Sequence, residues 1–201
     1  KESMIETKDG KKIQVLIHGF PIKLEGGQIG IYGLYHDITK RKEEERKIRY
    51  LSFRDQLTGL YNRRYFENEM NRLNSSRRLP ISIMVIDIDG LKGVNDSYGH
   101  KQGDKHIIKA AEILETVTRD EDIVARLGGD EFAIILPETN SEIAEEICRR
   151  IFRECEINNN EMKIPLNFSV GHASKVDEEE DLDDVFVRAD QRMYDDKNKC
   201  S

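Results

Sequence analysis

Ile13, Val15 and Ile17 fall at alternate positions, the two-residue period of a strand that turns one face to a core. Lys12–Phe20 is therefore expected as a strand, entered from a turn at Asp9-Gly10. Gly26-Gly27 predicts a second turn, and residues 28–38 a further strand, so residues 1–39 read as β structure. Two or three strands do not bury a sheet face by themselves. The rest of that layer is expected upstream in the natural chain or from a partner. The sequence does not begin with Met, so residue 1 is not expected to be the natural start.

At Lys40 the pattern changes. Lys, Arg and Glu dominate as far as Phe53, and Thr39 or Asp37 stands where a helix cap belongs. Ile48 and Leu51, three apart, give this helix one narrow apolar stripe. A solvated linker helix and a short parallel coiled coil joining two copies both fit that stripe. Gly59 breaks the helical run in a predicted turn, and Asn62 can cap the next helix, to about Leu73. Tyr65, Phe66, Met70 and Leu73 share one of its faces. Ile81–Asp87 is almost continuously apolar, as in a strand buried on both sides. Lys92–Tyr98 predicts a short helix; Gly99 and Gly103 are expected to bracket a loop, with Asp104 capping a helix to about Thr118. Two short apolar runs, Ile123–Leu127 and Phe132–Leu136, flank Gly128-Gly129 and predict a hairpin turning on the glycines. Asn140 or Ser141 opens a helix to about Glu156, with Ile143, Ala144, Ile147, Ile151 and Phe152 inward. A strand over Lys163–Ala173 and a helix over Asp181–Lys197 close the chain. From residue 55 the order is α-β-α-α-β-β-α-β-α. The predicted fold is α/β (α+β): helices flanking a mixed, largely antiparallel sheet, because a central hairpin excludes an all-parallel winding.

Composition narrows the partners. The 201 residues carry a net charge of −7, which argues against a nucleic-acid backbone or an anionic membrane surface. A nucleotide remains compatible, since a bound metal and a few local cations offset its charge. Cys148 and Cys155 lie seven apart on one predicted helix, about 10 Å, too far for a disulfide. That fits a reducing cytoplasm, with a membrane tether upstream left open. The longest mostly apolar run, Leu79–Ile86, is too short to span a bilayer, and no signal peptide is visible. No Cys–His cluster suggests zinc; His100 and His106 follow the loop and helix pattern, and His18, His36 and His172 stand isolated.

The chemistry gathers at two places. Asp87-Ile88-Asp89-Gly90 ends the buried strand, where a carboxylate is destabilising unless it faces a cleft or a metal. Asp130 and Glu131 follow the glycine turn, where backbone without side chains lets a ligand approach closely. If the two strands are neighbours, Asp87 and Asp130 converge, and hard oxygen ligands in small number suit Mg²⁺. Arg126 reads as a structural partner for nearby acids. By local sequence alone, Asn95 and Asp104 read as helix caps.

Gly128-Gly129-Asp130-Glu131-Phe132, together with Asp55-Gln56-Leu57-Thr58-Gly59-Leu60-Tyr61-Asn62-Arg63-Arg64, resembles the signatures of the GGDEF-type diguanylate cyclases. The resemblance covers about residues 53–200. It implies a nucleotidyl-cyclase or palm-like fold that condenses two GTP into cyclic di-GMP and two pyrophosphates, with two copies facing as a homodimer. It further implies Asp87, Asp130 and the Ile88 carbonyl as ligands of Mg²⁺, or of Mn²⁺ in its place, with Glu131 in metal binding or catalysis. Gly128 and Gly129 would let phosphates lie on the turn, and Lys92 and Lys197 would contact them. Asn95 and Asp104 match the guanine-recognising pair, and Arg119 with Asp122 matches a product-binding Arg-x-x-Asp, implying inhibition by cyclic di-GMP.

Gly30–Lys42, with its Asp37-Ile38-Thr39, resembles the closing strand and exit of a PAS sensory domain. The implied organisation is a PAS-like C-terminal fragment over 1–39, a linker helix over 40–53 and a GGDEF domain over 54–201. Three positions depart from the family pattern: Leu91 replaces a usual Phe, Asp196 a usual small residue before Lys197, and Ser201 a frequent Arg. Asp196 and Ser201 put phosphate affinity in question and leave a rival reading, a non-catalytic receptor for GTP or cyclic di-GMP.

Overall fold

A computed structural model describes all residues except 24–28, 77, 161 and 201; the side chains of 22, 23, 29, 46, 49, 199 and 200 are likewise not described. The expected Gly26-Gly27 turn and Ser201 lie outside the described residues. The chain forms two compact units, Lys1–Ser52 and Phe53–Ser201. No helix among the described residues is long and apolar enough to cross a membrane.

In the first unit, β1 (Glu2–Glu6), β2 (Lys12–Lys23) and β3 (Ile29–Asp37) form an antiparallel sheet in that order. The helix α1 (Thr39–Phe53) follows. Asp37 provides its cap: Oδ1 accepts from the Thr39 amide at 2.8 Å, while Thr39 Oγ1 accepts from the Gln14 amide at 2.9 Å. Val15 and Ile38 are buried, but Ile31 is 81% exposed. Three strands indeed leave most of their apolar surface uncovered. On α1, the predicted stripe residues Ile48 and Leu51 are both exposed.

The second unit contains β4 (Tyr61–Asn62), α2 (Arg63–Asn74), β5 (Ile81–Ile88), α3 (Leu91–Tyr98), α4 (His100–Val117), β6 (Ile123–Gly128), β7 (Glu131–Leu136), α5 (Ser141–Asn159), β8 (Phe168–Lys175) and α6 (Leu182–Cys200). Its sheet runs β4-β6-β7-β5-β8, antiparallel except for β4 on β6. This is the mixed, largely antiparallel architecture expected. All eight residues of β5 are buried, as its continuous apolar run predicts. Met84, Ile86 and Ile88 join one core with α4 and α5; Ile81, Ile83 and Val85 join the other with α2 and α6. Asn62 and Asn140 cap α2 and α5, accepting from the Tyr65 and Ile143 amides at 3.1 and 2.9 Å.

Several expectations need correction. Tyr61-Asn62, between the turn at Gly59 and the helix that Asn62 caps, also forms a short parallel edge strand. Asp104 caps nothing: α4 starts four residues earlier, at His100, and Gly99 with φ 81° serves as its N-cap. Gly103 lies inside α4 because the Asn95 side chain needs its empty face; a Cβ there would sit 2.0 Å from Asn95 Oδ1. β8 starts at Phe168, not Lys163. The segment before it is held in a loop by Asn159, whose amide bonds both Leu166 N and Leu166 O at 2.8 Å. On α5, Ile143 and Phe152 are exposed, and Cys148 and Cys155 take the inward places as free thiols. Burial pushes those thiols up to about 12 and about 11. His172 is not isolated, since Nε2 meets Glu145 Oε2 at 2.9 Å.

Candidate active site

The ends of β5 and β7 meet, which fulfils the condition on which Asp87 and Asp130 are expected to converge. Asp87 stands opposite Glu131 in the register, and the Ile88 amide donates to the Asp130 carbonyl at 3.1 Å. The hairpin turn is displaced by one residue from the expected Gly128-Gly129. Gly128 pairs with Glu131, so the two-residue loop is Gly129-Asp130, after a bulge between Arg126 and Gly128. Gly128 and Gly129 have φ of 150° and 55°, backbone that side chains disfavour, so glycine here is a conformational requirement. Asp130 therefore sits in the turn itself and Glu131 at the base of the second strand.

Lys197, from the last turns of α6, reaches this corner across 110 residues. Its Nζ donates to Asp87 Oδ1 at 2.7 Å. Burial raises the pKa of Asp87; the Lys197 hydrogen bond opposes that, and the nearby charge of Asp130 adds to it. Lys197 is raised in turn, first by its bond to Asp87. The group thus already binds a cation. Asp89 joins it from the β5–α3 loop, where its Oδ1 accepts from Ser169 Oγ at 2.7 Å. A cavity of about 520 Å³ borders Asp89, Gly90 and Lys197. The departure at Asp196 is engaged elsewhere. Its carboxylate turns to β8 and accepts from the Val170 amide at 3.2 Å.

Among the described residues, no three His, Cys, Asp or Glu side chains are gathered in a way that could hold a metal ion. Asp87 and Asp130, close enough for the charge of Asp130 to raise Asp87, still offer hard carboxylate oxygens. So sparse a set suits an ion that keeps water and phosphate oxygens in its shell.

The remaining candidates lie apart from this corner. Lys92 is exposed on α3, and Asn95, half-buried, packs against Gly103 of α4 beside the exposed Asp104. Arg119 and Asp122 lie at the opposite end of β6, where Asp122 Oδ2 accepts from the Arg119 amide at 2.8 Å. Burial raises Asp122, against the pull of that amide.

Two residues that carry the hairpin escaped the sequence reading. Arg63 Nε donates to the Leu127 carbonyl at 3.0 Å, and its Nη2 lies 3.6 Å from Glu131 Oε2. Asp55 holds Arg126: Nη1 donates to Asp55 Oδ1 at 3.1 Å, while Nε and Nη2 donate to the Gly129 carbonyl at 3.1 and 2.8 Å. Arg126 is thus the structural partner anticipated, and Asp55 is its acid. Their shared turn motif was the available signal.

Burial alone would raise Asp55, but hydrogen bonds from the Thr58 hydroxyl and amide, with Arg126, hold it below the usual carboxylate range. A carboxyl lowered in the fold contributes stability above its unfolded pKa, near 4, and loses it as pH falls through the folded value. Asp55→Ala should therefore cost about 2 kcal/mol at pH 7. The gap to wild type should narrow in urea titrations repeated from pH 5 downward. A gap that stays constant with pH would assign the loss to packing instead.

Residues 52–201 match the family model described as "Diguanylate cyclase, GGDEF domain". The diguanylate cyclase DgcM of Escherichia coli is 32% identical over 195 residues, covering 94% of this chain and 47% of DgcM. This chain thus spans less than half of that relative. Among solved structures, the coiled coil and GGDEF domain of DgcB from Caulobacter crescentus, in complex with c-di-GMP, superposes with a TM-score of 0.76. It shares 27% identity over 81% of this chain and 89% of that one. The diguanylate cyclase SiaD from Pseudomonas aeruginosa, in complex with its activator SiaC, gives 0.69 at 28% identity, over 80% and 64%.

Proposed function

The chain belongs to the GGDEF diguanylate cyclase domain family, and on that premise we propose that it condenses two GTP into cyclic di-GMP at a site shared by two copies. The observation that carries this is the meeting of Asp87 and Asp130 at the ends of adjacent strands, beside a glycine turn. Each copy holds one GTP. The Asn95 amide offers both donor and acceptor to guanine, and the Asp104 carboxylate accepts from the N1–H and amino group that adenine does not present together. Phosphates lie against the backbone of Gly128 and Gly129, with Lys92 and Lys197 as their cations. Lys197 passes from Asp87 to phosphate as the nucleotide enters.

Asp87, Asp130, the Ile88 carbonyl and Glu131 supply the oxygens for Mg²⁺, or for Mn²⁺ in its place. Such an ion, when bound, makes the 3′-hydroxyl more acidic and offsets charge on the phosphates. Glu131, braced by Arg63, assists removal of the hydroxyl proton. The freed O3′ attacks the α-phosphorus of the GTP on the facing copy. The bond from that phosphorus to the bridging oxygen of the β-phosphate breaks, and pyrophosphate leaves. The reciprocal attack closes the ring and releases the second pyrophosphate.

Residues 1–39 are read as the end of a PAS-like sensory domain, α1 as the linker that brings two copies together, and Arg119 with Asp122 as the inhibitory product site. The rival receptor reading rests on Asp196 and Ser201; the bond of Asp196 to the Val170 amide favours the catalytic reading over it.

The test is chromatography of GTP and Mg²⁺ incubated with the chain, with and without added cyclic di-GMP. Two pyrophosphates should appear per cyclic dinucleotide, more slowly when product is added. An inert sample that sediments as a dimer would overturn the catalytic reading.

A further inference from the structure

A second concavity, of about 370 Å³, opens at the end of β6 remote from the glycine turn. The six residues of β6, about 20 Å of strand, separate the two. Glu115 and Thr118 wall it from the end of α4, Arg119, Asp120 and Asp122 from the following turn, and Arg54 and Tyr61 from far earlier in the chain. The parallel strand β4 brings in the last two, because Tyr61 pairs with Ala125 and so lies beside the start of β6. The Arg54 guanidinium stands over the Tyr61 ring, its carbon 3.8 Å from the centroid. Its Nη1 also donates to the Gly59 carbonyl at 3.0 Å. Stack and hydrogen bond together fix the plane of the guanidinium, so little side-chain freedom remains to be lost when a ligand arrives.

Charge makes this position consequential. With Arg119 as the cation, the lining also presents Glu115, Asp120 and Asp122. Those carboxylates suit the N–H edge of guanine, but they repel a ligand carrying two phosphodiester charges. A second lining cation relieves that repulsion.

We propose that Arg54, held flat on Tyr61, is a further binding residue for cyclic di-GMP in this cavity. Its planar fork meets paired acceptors, either phosphodiester oxygens or the O6/N7 edge of guanine. The proposal rests on the reading of Arg119 and Asp122 as the product site.

Calorimetric titration of the whole 201-residue chain with cyclic di-GMP tests it. Arg54→Ala should raise Kd about tenfold to a hundredfold, the worth of one charge-assisted pair. Arg54→Lys, which keeps the charge and loses the fork, should fall between Arg54→Ala and wild type. Thermal unfolding of each variant verifies its fold; if Arg54→Ala does not fold, Arg54→Lys decides, and wild-type affinity there overturns the proposal. Arg119→Ala separates the two levels. If it weakens binding while both Arg54 variants bind as wild type, Arg54 has no such role and the product site stands. If Arg119→Ala itself binds as wild type, the site reading fails and the role of Arg54 fails with it.

Discussion

Asp87→Asn is expected to reduce product formation by about a thousandfold while leaving the thermal midpoint at or above that of wild type. The two halves of this result have one cause. Asp87 is only 6% exposed, and its carboxylate faces Asp130 and Asp89 with Lys197 as its bonded cation. Withdrawing a charge from water costs several kcal/mol even when it is paired. Asn has nearly the same shape, still accepts from Lys197 through its amide oxygen, and carries no charge to desolvate. For the fold, the relieved desolvation offsets the weaker bond to the part-exposed Lys197, whereas the proposed reaction loses a charged oxygen from its metal corner. Chromatographic assay and scanning calorimetry on one preparation check both halves. A lowered midpoint would trace the inactivity to unfolding, and turnover near the wild-type rate would remove Asp87 from the site.

Gly171→Ala should show the opposite coupling, with stability and activity falling together. A Cβ at Gly171 would lie 2.2 Å from both the Ala189 carbonyl oxygen and the Met193 amide nitrogen. Both are backbone atoms of α6, so no side chain can rotate aside and the helix itself must lift from β8. That helix buries Leu182, Val185, Ala189 and Met193 and carries Lys197 to Asp87. Overpacking of this kind costs about 3 kcal/mol, which for a unit of this size lowers the midpoint by roughly 6–12 °C. Urea unfolding measures it. A loss below about 1 kcal/mol would mean that α6 can ride outward without cost.

These two positions also mark where the sequence was legible and where it was not. Asp87 could be read because a carboxylate ending a continuous apolar run is a local anomaly. Asn62 and Asn140 could be read because a side-chain cap acts within three residues of itself. Asp104 misled for the same reason: its residue type suits a cap, but Gly99 had already started the helix by backbone conformation alone. Gly171 looked like any glycine in a strand, since the backbone it admits, at Ala189 and Met193, lies beyond any local pattern. The pairing of Tyr61 with Ala125 and of Lys197 with Asp87 spans too much chain for any periodicity to report. Hydrophobicity points Ile143 and Phe152 inward, yet α5 turns its two cysteines to the core. Helical period fixes spacing, but which stripe faces the sheet is decided by the sheet. Asp87 and Asp130 are thus expected to converge if their strands are neighbours, whereas the arrival of Lys197 at Asp87 is not expected. Nor are the braces of the hairpin, Arg63 and Asp55, because their partners are backbone carbonyls and distant charges.

The bond from Asp196 to the Val170 amide bears on solubility as well as on phosphate. If two copies react face to face as proposed, each encounter brings open sheet margins near one another. The sheet ends at β8 on one side and at β4 on the other. Margins with free amides invite strand-to-strand association, which natural proteins resist by shortening the edge or charging it. β4 is two residues long, and β8 has a carboxylate seated on one of its outer donors. Both margins of this sheet are thereby blunted, which disfavours edge-to-edge association through it.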